Sequence, residues 1–254
     1  SPGVFIPFFG KAGGPVRSVA NMVSHLKSEV EFFIITRNTD YCETKPYSSV
    51  KSDAWNKIDF NTSVFYLSEP SIKKINSFIK EQNFDVVYIN GIYSFYFSIV
   101  PLFLLRNGSK RVVIAPRGML SPHALQIKSI KKKVFITLAK LMGLYRNVTF
   151  HATNQAESEA VKRLMDRKCR IKTVPNLPKN LPEKRVHRNK ENSVVRIFNL
   201  ARIAPEKNTL FALERLIKYK SGKVIFDIYG AVYDKDYWSR CLQIIRQMPE
   251  NITV

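Results

Sequence analysis

Cysteine is scarce in this chain and poorly placed for cross-linking. The three present, Cys42, Cys169 and Cys241, are odd in number and far apart. That usage argues against a disulfide frame or a thiolate metal site, and for a reducing compartment. Histidine is as sparse: His25, His123, His151 and His187 form neither an H-x-x-x-H nor an H-E-x-x-H pattern. No metal site is legible in that spacing, and no metal or other cofactor is expected. Glycine and proline, at 10 and 13 residues, are too few for a disordered chain, while apolar residues make up 45%. A globular protein is implied, and 254 residues accommodate one large domain or two smaller ones.

Carboxylates are in deficit. Asp and Glu number 20 against 41 Lys and Arg, a formal net charge of +21. Between Asp85 and Glu157 there is no carboxylate, yet ten cations, four of them clustered as Lys128, Lys131, Lys132 and Lys133. Such a surface attracts phosphate, on a nucleotide, a nucleic acid or an anionic lipid. A clean membrane span is missing too. Val86 to Leu105 covers 20 residues without a formal charge, the length of a span. Asn90, Gly91, Ser94 and Ser98 interrupt it, and a strand followed by a helix explains it without a bilayer. No secretory signal opens the chain, which starts at Ser1 without methionine and leaves the natural N-terminus open.

What is present is alternation. Apolar runs predict strands at 3–9, 31–36, 63–67, 84–90, 111–115, 147–152, 170–174, 194–200 and 223–229. Helical periodicity predicts helices from Val16 to Leu26, at 72–79, in the apolar stretch before Arg106, at 125–144, at 155–165, after Asn208 and at 234–247. Residues 37–62 read as a long polar loop, and 251–254 as the start of one more strand. The order predicts an α/β fold with doubly wound parallel sheets. Pro178 and Pro182 among many charges mark 176–193 as a linker, leaving domains at 1–175 and 194–254. The second is too short for an independent doubly wound domain, so the chain reads as cut short.

The richest stretch is Val194 to Leu210, VVRIFNLARIAPEKNTL. A buried-type strand gives way to a loop holding Arg202 and Lys207, then to a helix with Asn208 and Thr209 as candidate caps. Ligands of open α/β sheets bind at the carboxyl ends of strands, and helix N-termini favour anions there. Arg grips phosphate oxygens through paired bonds and Lys adds a mobile charge, so the loop suits a diphosphate. Two solvated loop cations would leave the same trace in sequence. Gly10 to Pro15 forms a second glycine turn before a helix, with G-x-x-G-G spacing unlike the dinucleotide fingerprint.

Taken in order, these pieces resemble glycosyltransferase family 4, the retaining nucleotide-sugar transferases of GT-B fold. The residues that carry it are Gly13-Gly14-Pro15, FDVVYINGIYS at 84–94, APRGMLSPHAL at 115–125, HATNQAE at 151–157, VPN at 174–176, NLARIAPEKN at 199–208 and FDIYG at 226–230. The resemblance implies two Rossmann-like domains, an acceptor-side one first and an incomplete donor one after it. It implies that Arg202 and Lys207 hold the donor diphosphate and stabilise the departing nucleotide. Gly13, Gly14 and Gly230 would approach the donor, and Asn90, Arg117 and His123 would face the transferred sugar or the acceptor. The implied reaction moves a sugar with retention onto a glycan or polyprenyl-diphosphate-linked acceptor, in the making of capsule, O-antigen or exopolysaccharide. The basic patch at Lys128, Lys131, Lys132 and Lys133 would then face the cytoplasmic surface of an anionic membrane. Arg117 and Asn90 stand where many members carry histidine. The family's E-x7-E pair has no counterpart here, so this chain alone is expected to be inactive. Two other readings stay open: a different GT-B enzyme such as a sugar-nucleotide epimerase, and a basic nucleic-acid-binding module. Against the latter, Lys128–Lys133 lacks interleaved aromatics.

Overall fold

The computed structural model describes residues 14–40, 43–81, 84–126, 129–165, 169–180 and 193–254, the side chains of 123, 126 and 129 excepted. The chain divides into two compact units, Ser1–Leu181 and Pro182–Val254. Both are α/β with parallel strands, compatible with a Rossmann-like fold. The strand expected at 3–9 lies outside the described residues.

The first unit opens with α1 (Gly14–Leu26) and β1 (Phe32–Arg37). The stretch expected to be a loop contains β2 (Trp55–Asp59), which turns through Phe60 and Asn61 into β3 (Thr62–Leu67). The turn is fixed locally, because Asp59 Oδ1 accepts the Asn61 amide at 3.1 Å. These strands form a mixed sheet in the order β1-β3-β2, with β1 parallel and β2 antiparallel to β3. Helix α2 (Ile72–Glu81) packs Ile75 and Phe78 against Leu67 and Trp55 of that sheet.

The larger sheet follows as β4 (Val86–Asn90), β5 (Arg111–Ala115), β6 (Val148–Ala152) and β7 (Arg170–Thr173), all parallel and in sequence order. Its connections are a π-helical turn at Phe95–Ile99 running into α3 (Val100–Leu105), then α4 (Pro122–Gln126) with α5 (Ser129–Leu141), then α6 (Gln155–Leu164). The charge-free segment 86–105 is thus a strand followed by one short helical stretch. No helix among the described residues is long and apolar enough to cross a membrane. Of the helix expected over 125–144, Pro122–Gln126 and Ser129–Leu141 are helical, and residues 127–128 lie outside the described residues. Ile114, Leu102, Val161, Leu144 and Phe150 are essentially buried between the sheet and its helices and form the core.

The segment after β7 is not free chain. Asn21 donates to the Leu177 carbonyl at 2.8 Å and His25 Nε2 to the Pro178 carbonyl at 2.9 Å. Asn180 donates to Ser24 Oγ at 3.3 Å. Residues 176–180, read from sequence as the start of a linker, are therefore fastened to α1.

The second unit comprises β8 (Val194–Leu200), α7 (Thr209–Leu216), β9 (Lys223–Tyr229), α8 (Lys235–Ile245) and β10 (Ile252–Thr253). Its parallel sheet has the order β10-β9-β8. Phe226 and Ile228 pack beneath α7 and α8, with Leu213, Tyr237 and Cys241 buried there. Alternation sends Phe198, Leu200 and Tyr229 to the opposite side, where all three are exposed. Asp234 caps α8 by accepting the Tyr237 amide at 2.8 Å.

Candidate functional site

The carboxyl ends of β4, β5 and β6 converge on Arg117. The loop after β5 enters a left-handed turn at Arg117 (φ +56°) and Gly118 (φ +75°), a conformation unfavourable for arginine unless its surroundings hold it. Three neutral oxygens do so. Arg117 Nε donates to Asn90 Oδ1 at 2.7 Å, Nη2 to the Tyr88 hydroxyl at 3.1 Å, and Nη1 to Asn176 Oδ1. The hydrogen bonds described for this guanidinium go to neutral groups, and it has no direct carboxylate partner among the described residues.

A chain of hydrogen bonds runs on from Tyr88. The Val174 carbonyl lies 2.9 Å from His151 Nε2 and can only accept, so Nε2 carries a proton. In the Nε2–H tautomer Nδ1 is the acceptor, and the Tyr88 hydroxyl, 2.6 Å away, donates to it. The Tyr88 oxygen receives the Arg117 N–H in turn. Burial pushes the Tyr88 hydroxyl above its ordinary value, with the Arg117 charge and hydrogen bond working against it and the Glu157 charge with it.

Glu157 supports the arrangement from below. It is only 8% exposed at the start of α6, where Asn154 caps the helix by accepting the Glu157 amide at 2.9 Å. Its Oε1 accepts the Gly118 amide at 2.6 Å, and its Oε2 accepts both the amide and the hydroxyl of Thr153 at 2.7 Å. Burial raises this carboxyl, but the amides of Thr153 and Gly118, the Thr153 hydroxyl and the Arg117 charge outweigh it and leave it below the usual glutamate range. Glu157 is a fixed carboxylate that pins the Arg117 turn to α6.

Asn90 and Arg117, both named from sequence, are hydrogen-bonded to each other, while Tyr88, His151, Glu157 and Asn176 were not singled out. Their signal was the run of polar residues at three successive strand ends. The His123 side chain lies outside the described residues, as do Gly13 and Lys128. Gly14 begins α1, and a Cβ placed there meets open space. Of the other lysines, Lys131 and Lys133 are exposed on α5. Lys132 turns inward, donating to the Ala124 carbonyl and lying 5.6 Å from the Tyr93 ring, so it does not belong to the outward patch. A cavity of about 430 Å³ lies elsewhere, lined by Leu120, Leu125, Ala160 and Leu164 with Lys133 and Arg163. It is mostly apolar and does not include the Arg117 cluster.

In the second unit, Arg202 lies two residues beyond β8 and Lys207 ends a 3-10 turn, Pro205–Lys207; both are exposed. Arg202 Nη2 sits 3.4 Å from Glu206 Oε1 and its guanidinium stacks 4.8 Å over the Tyr233 ring. An exposed pair of this kind is worth about 1 kcal/mol or less, so a stronger anion would displace it. Asn208 adopts a left-handed conformation (φ +57°) at the cap position of α7, and its side chain makes no capping bond. The cap reading is therefore right in place and wrong in chemistry. Thr209 is buried and accepts from Asn199 at 3.1 Å instead.

Gly230 has a steric role of its own. Ala201 N donates to the Tyr229 carbonyl at 3.0 Å and Ile203 N to the Ala231 carbonyl at 2.9 Å, zipping together the loops after β8 and β9. A Cβ at Gly230 would fall 1.8 Å from the Ala201 oxygen, so only glycine fits. The zipped loops present Arg202 at the carboxyl edge of the sheet.

Both units therefore carry a positioned arginine at the carboxyl ends of parallel strands, the region where open α/β sheets take ligands. No family model, no curated protein and no solved structure matches the chain.

Proposed function

We propose that this protein is a retaining glycosyltransferase of the GT-B class, related to glycosyltransferase family 4. It transfers a sugar from a nucleotide diphosphate sugar to a glycan or lipid-linked acceptor in surface polysaccharide synthesis. The observation that carries the reading is Arg117, a cation oriented by Asn90, Tyr88 and Asn176 with no direct carboxylate partner among the described residues. Such a group suits an anionic or polyhydroxylated ligand, because its desolvation is already offset by neutral acceptors. In the proposed reaction Arg202 and Lys207 take the donor diphosphate and stabilise the charge growing on the leaving nucleotide. Asn90, Arg117 and His123 face the transferred sugar. Glu157 does not act as a nucleophile, since both of its oxygens are taken by N–H and O–H donors. Retention then rests on attack from the face the nucleotide leaves, without a paired carboxylate mechanism. The acceptor would be met at the cytoplasmic face of the membrane, where the protein is peripheral.

The test is a thermal-shift panel of UDP-, GDP- and ADP-sugars on the complete gene product, followed by turnover of whichever donor stabilises it. Replacing Arg202 and Lys207 together by alanine should lower kcat by a factor on the order of 100 or more. Undiminished turnover in that variant would refute the assignment.

A further inference from the structure

Helix α5 shows apolar side chains on two sides. Toward the core it turns Ile136 and Ala139, both buried, together with Phe135, which stacks on Tyr93 at 5.5 Å. Toward solvent it turns Ile130, Val134, Leu138 and Leu141, all exposed, with Ile130 at 77% and Leu141 at 79%. At about 100° per residue, spacings of four, four and three hold these four within one face, and Met142 extends it just past the helix. The face runs about 16 Å along the helix at 1.5 Å per residue. Lys131 borders it on one side and Lys133 on the other, both exposed, while Lys140, also exposed, donates to the Leu164 carbonyl at 3.1 Å. No carboxylate occurs anywhere from residue 86 to residue 156, so nothing on this part of the chain offsets their charge.

An apolar stripe on an already packed helix adds nothing to folding and costs free energy in water. We infer that the outer face of α5 is an in-plane anchor that seats in the interface of an anionic lipid bilayer, with Ile130, Val134, Leu138 and Leu141 in the acyl region and Lys131 and Lys133 at the headgroups. Charge selects this occupant: a lysine-edged apolar stripe on a carboxylate-free surface is complementary to acidic lipid. The inference deepens the reading of the acceptor as lipid-borne and relies on it for biological setting. Its evidence and its test are independent of sugar transfer. It also shifts emphasis away from the lysine cluster as a whole, since Lys132 is used internally.

The experiment is flotation of the protein with vesicles of equal parts phosphatidylcholine and phosphatidylglycerol, against vesicles of phosphatidylcholine alone. Wild type should float with the anionic vesicles and much less with the neutral ones. Leu138→Ser with Leu141→Ser keeps every lysine and should cut partitioning at least tenfold, with an unchanged melting curve because both sites are exposed. Lys131→Gln with Lys133→Gln should weaken binding and erase the preference for anionic lipid. Leu138→Trp should be quenched by lipids brominated on the acyl chain. Absence of flotation by wild type, undiminished binding by the serine variant, or an unquenched Leu138→Trp on bound vesicles would each overturn the inference. So would sedimentation showing a dimer that the serine variant dissolves, since a second copy would then cover the stripe. Vesicle binding without nucleotide-sugar turnover would leave this inference standing and remove the transferase reading.

Discussion

Replacing Glu157 by glutamine should unseat the loop that carries Arg117. The carboxylate accepts three hydrogen bonds at 2.6 to 2.7 Å, one from Gly118 and two from Thr153. Glutamine offers one accepting oxygen and one donating nitrogen. With its oxygen toward Thr153, its NH₂ meets the Gly118 amide, two donors facing each other in a buried site. The orphaned amide costs about 1–3 kcal/mol. The two bonds that survive lose their ionic character, worth roughly 1 kcal/mol more, since charge-assisted bonds are about twice as strong as neutral ones. A loss of about 2–4 kcal/mol corresponds to a Tm roughly 5–15 °C lower for a unit of this size. Glu157→Gln should also expose the Gly118 amide to hydrogen exchange. The sign of the pH dependence follows from the lowered carboxyl. The stabilisation is complete above the ordinary glutamate value and vanishes as pH falls through the depressed one, so the gap between wild type and variant should close on acidification. Glu159→Gln, an exposed change on the same helix, is the control and should stay within about 0.5 kcal/mol of wild type. Equal melting of the two variants at neutral pH would refute the pinning role.

Gly230→Ala should lower the stability of the second unit by roughly 1–3 kcal/mol or more, because the added methyl meets backbone at the Ala201 carbonyl; limited proteolysis of the β8–β9 region reads it. His151 should be found protonated at Nε2 and bare at Nδ1 by long-range ¹H–¹⁵N correlation, and Tyr88→Phe should abolish that bias while costing about 1–2 kcal/mol. A spectrum with the proton at Nδ1 in wild type would reverse the direction assigned to the chain. Asp234→Ala should destabilise α8 by about 1 kcal/mol through loss of its cap, measured by urea titration.

The parallel strands were legible because they are continuous apolar runs. Arg111–Ala115, Val194–Leu200 and Lys223–Tyr229 appear with the bounds the sequence suggests. Strand β2 was hidden, since WNKID carries polar residues and is only half-buried. Its signal was the Asp59 turn rather than its hydrophobicity. At the site, Arg117 and Asn90 were named through the family resemblance. The partnership of Tyr88 with His151 spans 63 positions and exists only because β4, β5 and β6 lie side by side. Lys132 was misjudged as outward for a related reason: a run of lysines shows its charge in sequence and not its direction.

The fastening of residues 176–180 to α1 has a mechanical consequence. Asn176 holds Arg117, and Leu177, Pro178 and Asn180 are each tied to side chains of Asn21, His25 and Ser24. A connector is usually credited with reach in proportion to its length. Here five residues of apparent slack belong to the wall of the first unit and add nothing to that reach. Lengthening the chain between 174 and 180 would fray that seam.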